Sequence, residues 1–237
     1  MEDHFKIFGL AHIAFLVMLP AFAGGLAWWS ASDQHRTKVI RVTLGTAILL
    51  NELVWYWYYV RQDWFLFPYT LPLQLCDILV WIAVVSALTS YRAPRILLYF
   101  WGLTGTTMAL LTPDVSSPTF SYLTIRFLVS HGGIIVVLLF LFWTKSFRPG
   151  PGSWWRALIA LHAYAAAMGI YNYVFGTNFF YLFEKPAEAS LLDYLGQWPW
   201  YVLSGDAIAF ALFWLLGLPF RTQKGAPAPN RSEADRS

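Results

Sequence analysis

Separate apolar stretches of about twenty residues, joined by short polar connectors, restrict this 237-residue chain to very few folds. A backbone inside hydrocarbon must satisfy its own N–H and C=O groups, so runs of that length predict spanning helices. We predict seven, over residues 7–29, 39–60, 71–88, 94–111, 123–143, 154–175 and 199–218. The fold class is therefore an all-α membrane protein, a single seven-transmembrane-helix bundle over residues 1–220 followed by a disordered polar tail, 221–237. Composition agrees: 12% of residues are charged, against roughly 25% in soluble domains. Pro72 and Pro94 suit helix first turns, where a missing N–H costs nothing. Ala21-Phe22-Ala23 resembles a small-residue cleavage site, but the acidic opening lacks the positive region of a secretory signal, so the first stretch is kept as a helix.

Charge sets the orientation. Connectors on one side hold four of the 16 Lys and Arg residues (Lys6, Arg61, Arg126, Lys185) and those on the other side hold 12. The positive-inside rule then predicts an extracytoplasmic N-terminus and a cytoplasmic C-terminus. The net charge of +3 comes from these clusters, so it reports topology and gives no reason to expect a nucleic-acid partner. The single cysteine forms no intrachain disulfide, and no spacing of Cys and His suggests zinc.

The costly residues are the polar ones inside the apolar stretches. Counted from the outer ends at ~1.5 Å per residue, Cys76, His131, Asp206 and Glu52 fall in one layer roughly 8–14 Å deep. Asp77 belongs to it, Gln74 lies just above, and Arg126 near the top of the fifth helix is a candidate countercharge or phosphate holder. Cys plus His is nucleophilic chemistry: a thiol among apolar groups is inert until a base such as His131 activates it. Because the third helix is predicted to begin at Leu71, Cys76 lies beyond its first turn and little help from the helix dipole is expected. Each group also has a structural reading. A membrane cysteine is commonly a small buried residue, a histidine can bond a neighbouring helix, and Glu52, Asp77 and Asp206 can be paired with Arg126 or backbone. His12 and His162 are read as structural, and Asn51 and Asn172 as interhelical hydrogen-bonders. Gly132-Gly133 after His131 predicts close approach of a backbone or ligand.

The segments LPLQLCD (71–77), LTPD (111–114), RFLVSHGG (126–133), GTNFFYLFEKP (176–186) and LLDYLGQWPWY (191–201) resemble the bacterial YwaF-like integral membrane proteins. That family is similar to the eukaryotic transmembrane protein 164 acyltransferases. The resemblance implies transfer of a fatty acyl chain between phospholipids through a cysteine thioester, with Cys76 and His131 at the catalytic positions. Gln74, Asp77, Arg126, Glu52, Asp206 and Asn178 are then supporting or substrate-binding candidates. It implies no cofactor and no metal, membrane lipids as partners (a phospholipid donor and a lysophospholipid acceptor), and a multi-pass location in the cell membrane. Two other classes use the same polar layer. One is a proton-coupled small-molecule transporter, although no inverted repeat is visible. The other is a non-enzymatic membrane partner or sensor protein in which the polar groups only join helices.

Overall fold

The computed structural model describes residues 5–113, 115, 117–186 and 191–221. The predicted tail beyond Arg221 and Asp114 of the LTPD segment lie outside them. The described residues are helical with irregular connectors and contain no β-strand. In order, the helices are α1 (Leu10–Ser30), α2 (Gln34–Arg61), α3 (Leu75–Leu88), α4 (Arg92–Trp101), α5 (Thr107–Leu111), α6 (Tyr122–Trp143), α7 (Ser153–Phe175) and α8 (Trp200–Gly217). A π-helical turn, Gly102–Thr106, joins α4 to α5 without leaving helical backbone, so residues 92–111 form one rod. Five helices (α1, α2, α6, α7 and α8) are long and apolar enough to cross a membrane, while α3 is a shorter apolar helix of 14 residues.

Local chemistry explains the boundaries. α2 starts at Gln34, a turn and a half before the predicted start, because the Asp33 side chain accepts a hydrogen bond from Arg36 N at 3.1 Å and caps the helix. Ser121 caps α6 in the same way, accepting from Thr124 N at 3.2 Å. α7 ends at Gly176, whose φ of 65° is a left-handed stop that glycine adopts without strain. The rod through residues 92–111 is not the plain helix expected. At its π turn, a Cβ on Gly102 would meet Leu138 Cδ1 at 2.9 Å, so α6 packs tightly against the wider turn.

α3 and α6 form the centre. Leu79, Val80, Ala83 and Val84 of α3 pack with Ile134, Val137, Leu138 and Leu141 of α6 and with Leu98, Phe100 and Trp101 of α4 in one buried cluster. α1 and α2 pack on this centre, α7 packs on α4 and α8 on α7, and all four turn large apolar side chains outward, as helices facing lipid do. The end of α3 away from Cys76 is held by two guanidinium groups. Arg95 donates to the carbonyls of Ser86, Thr89 and Ser146 at 3.2, 2.6 and 2.9 Å, and Arg41 donates to those of Ala87 and Thr89 at 2.6 Å each. These cations satisfy the orphan carbonyls of the helix end and complement its dipole.

Candidate active site at the start of α3

The third helix does not begin at Leu71. Residues 71–73 are irregular and Gln74 is the N-cap, with extended backbone at φ −70° and ψ 151°. The cause is local: Asp77 Oδ2 accepts the Gln74 N–H at 3.2 Å, so the carboxylate folds back on the cap and fixes the first turn. Pro72 therefore precedes the helix instead of occupying its first turn. Cys76 becomes the second helical residue, which overturns the expectation that it lies beyond the reach of the helix dipole. Its N–H and that of Leu75 find no acceptor among the described residues, as orphan donors of a helix start do. The segment before the helix is pinned from outside. Tyr164 of α7 donates to the Leu73 carbonyl at 2.5 Å, and the Phe180 N–H, in the connector after α7, donates to Gln74 Oε1 at 2.9 Å.

His131 lies on α6, which packs against both α2 and α3. Its Nδ1 is 2.9 Å from the Phe127 carbonyl, and a carbonyl only accepts, so Nδ1 carries the proton and the neutral ring presents Nε2 as its basic nitrogen. The ring stacks on Phe127 with centroids 4.0 Å apart, which fixes its plane. Arg126 links the neighbours. Its Nη2 meets Glu52 Oε1 of α2 at 3.3 Å, its guanidinium lies over the Trp55 ring at 4.2 Å, and its charge is within electrostatic reach of Cys76, Asp77 and His131. The Glu52 side chain is 1% exposed, so this pair removes an otherwise isolated buried charge. Among the described residues, the Arg126 Nε has no hydrogen-bond partner.

Cys76 Sγ makes no hydrogen bond to His131 or to any other described residue. The two residues share a neighbourhood on contacting helices without forming a preassembled dyad, and catalytic hydrogen bonds often tighten only once substrate is bound. Gly132 and Gly133 do admit close approach, but by other helices. A Cβ on Gly132 would meet Phe15 Cζ at 2.8 Å, and one on Gly133 would meet Ile48 Cγ1 at 3.0 Å.

The remaining predicted residues have other partners. Asp206 of α8 pairs with His162 of α7, Oδ1 to Nε2 2.9 Å, both about half exposed at 49% and 53%, so Asp206 is tied to the α7–α8 face. Asn178 is occupied by its own connector, donating to the Glu184 carbonyl at 2.8 Å and accepting from the Phe183 and Glu184 N–H groups at 3.1 and 3.3 Å. Asn172, read as an interhelical bonder, also serves that connector, through Thr177 and Phe179. Asn51 does join helices, donating to Ser130 at 3.0 Å. Tyr164, one of many aromatics, escaped sequence reading, and His162, read as structural, has a carboxylate partner 44 positions away. The Phe180 N–H was equally invisible, because backbone groups leave no mark in a sequence.

No curated protein and no solved structure matches the chain. The sequence of the TMEM164 family does match, over residues 7–217, which takes in α1 to α8 and every segment around Cys76 and His131. The chain is a membrane protein belonging to the TMEM164 family.

Proposed function

We propose that the chain is a lipid acyltransferase of the cell membrane that moves a fatty acyl chain between phospholipids through a thioester on Cys76. The observation that carries the reading is the place of Cys76 in the N-terminal turn of α3, on a helix packed against the one that bears His131. A thiol needs a base to become the nucleophilic thiolate, and His131 Nε2 is the nitrogen able to take the thiol proton. Attack on the donor ester forms a C–S bond and places negative charge on the carbonyl oxygen, where the orphan N–H groups of Leu75 and Cys76 are suited to receive it. Collapse breaks the C–O bond, and His131 returns the proton to the departing lysophospholipid oxygen. The second half runs in reverse: His131 takes the proton of the acceptor hydroxyl, the alkoxide attacks the thioester, and Cys76 leaves as thiolate. Arg126 supplies positive charge for the head-group phosphate beside this centre, and Gln74 positions the cap from which α3 starts.

The reading includes seven spans, counting α3 and the rod of residues 92–111, with the N-terminus extracytoplasmic and the C-terminus cytoplasmic. Support for it is the 4-to-12 division of Lys and Arg and the Arg41 and Arg95 clamp on the predicted cytoplasmic side. The test is acyl exchange between defined lipids by purified protein. Exchange should be present in the parent protein and absent in Cys76→Ala; equal turnover by the variant removes the covalent mechanism.

A further inference from the structure

Away from Cys76, the connector after α7 folds into a wall around an open cavity of about 470 Å³, a size in the range of small-molecule sites. Tyr69 lines it from the α2–α3 connector; Gly176, Phe183 and Glu184 line it from the connector after α7. Three features give this space one electrostatic character. Glu184 is the acidic residue of its lining. The C-terminal end of α7, where the last carbonyls lack intrahelical donors and the dipole is negative, opens beside it at Gly176. Tyr69 and Phe183, 54% and 41% exposed, are the aromatic residues of its lining, a class whose ring faces attract cations. The nearest basic side chain in sequence, Lys185, is engaged elsewhere, 3.7 Å from Asp193 Oδ1 and 5.6 Å from the centre of the Tyr201 ring.

The walls are also fixed in advance. Asn178 holds the Phe183 and Glu184 backbone, and the buried Asn172 holds Thr177 and Phe179. Phe180 and Tyr181 adopt left-handed backbone at φ 64° and 50°, a strained choice for bulky residues. Phe180 is kept there by Gln74 Oε1, and Tyr181 by the Tyr201 hydroxyl, which donates to its carbonyl at 2.7 Å.

We infer that this cavity is a binding site for an alkylammonium group, with Glu184 as counterion and the Tyr69 and Phe183 rings as its walls. A metal ion is the poorer fit: aromatic rings are not ligands, and among the described residues no three His, Cys, Asp or Glu side chains are grouped to hold one. An anion would meet the carboxylate and the negative helix end. The ammonium group is either that of a lipid head group or that of a free small cation. In the first case the site deepens the acyltransfer reading and rests on it for its purpose, because the connector that walls the cavity also holds Gln74 at the start of α3.

The test is calorimetric titration of the purified full-length chain carrying Cys76→Ala, in a non-ionic detergent, with three probes: tetramethylammonium, dihexanoyl phosphatidylcholine and dihexanoyl phosphatidylglycerol. Both ammonium probes should bind, the anionic lipid at least tenfold more weakly, and Glu184→Gln should weaken the ammonium probes about tenfold. Glu184 is exposed, so the variant should keep the parent melting temperature. Phosphatidylcholine binding tighter than tetramethylammonium assigns the site to a lipid head group, and the reverse order to a free cation. Equal binding of cationic and anionic probes, or ammonium binding unchanged by Glu184→Gln, overturns the inference. Since titration involves no turnover, acyl exchange by the parent protein with failed titration defeats the cavity alone. Successful titration without exchange defeats the acyltransferase reading alone.

Discussion

At the scale of single residues, the thiol and the imidazole have different supports. Cys76 is placed by a helix start, and its surroundings come from backbone groups and from Asp77 acting on Gln74. His131 is placed by its own helix, through the Phe127 carbonyl and ring. His131→Gln should therefore leave the fold intact, because its one intrahelical hydrogen bond is dispensable. It should lower acyl exchange by roughly 10²–10⁴-fold, the usual contribution of a positioned general base; exchange rates in defined lipids measure this, and a change below threefold would remove His131 from the chemistry. These two residues stood out as candidates because Cys and His are rare in apolar helices and costly there. The partner of Asp206 was not, since residue counts along separate helices give depth but not the face on which a side chain lies. Estimated depth put Asp206 level with Cys76, whereas its hydrogen bond is to His162 on α7.

At the scale of elements, the apolar runs fixed where helices lie to within a few residues, and capping chemistry moved the ends. The largest shifts, α2 starting at Gln34 and α3 at Leu75, both follow from an aspartate bonding backbone N–H groups. For α2 the effect depends on pH. The hydrogen bond from Arg36 N holds the Asp33 carboxyl below its ordinary range, so the cap contributes fully above the unfolded carboxylate range and is lost as pH falls through the depressed folded value. Amide exchange at Arg36 and Thr37 should be protected at neutral pH, accelerate in acid, and be fast at both in Asp33→Ala; equal protection in that variant would deny Asp33 its capping role. The π turn at Gly102–Thr106 gave no comparable signal in sequence; Leu138 approaches Gly102 across the bundle there, a tertiary contact. The connector after α7 was legible only as long and aromatic. Its course depends on Asn172, Asn178 and Gln74 bonding backbone groups, which residue types alone do not specify.

At the scale of the whole molecule, α3 is the organising piece. It is short, central and fixed at both ends, by Arg41 and Arg95 at its C-terminus and by Gln74, Asp77, Tyr164 and Phe180 at its start. Cys76, the proposed nucleophile, sits on this doubly anchored element, which packs against α6. The family match over residues 7–217 extends across this whole arrangement. The central claim is that Cys76 carries the acyl chain between donor and acceptor. Intact-protein mass spectrometry after brief incubation with donor phospholipid and no acceptor addresses it directly. The account predicts one added acyl mass, absent in Cys76→Ala and removed by neutral hydroxylamine. Exchange activity with no such adduct, or an adduct that persists in Cys76→Ala, would contradict it.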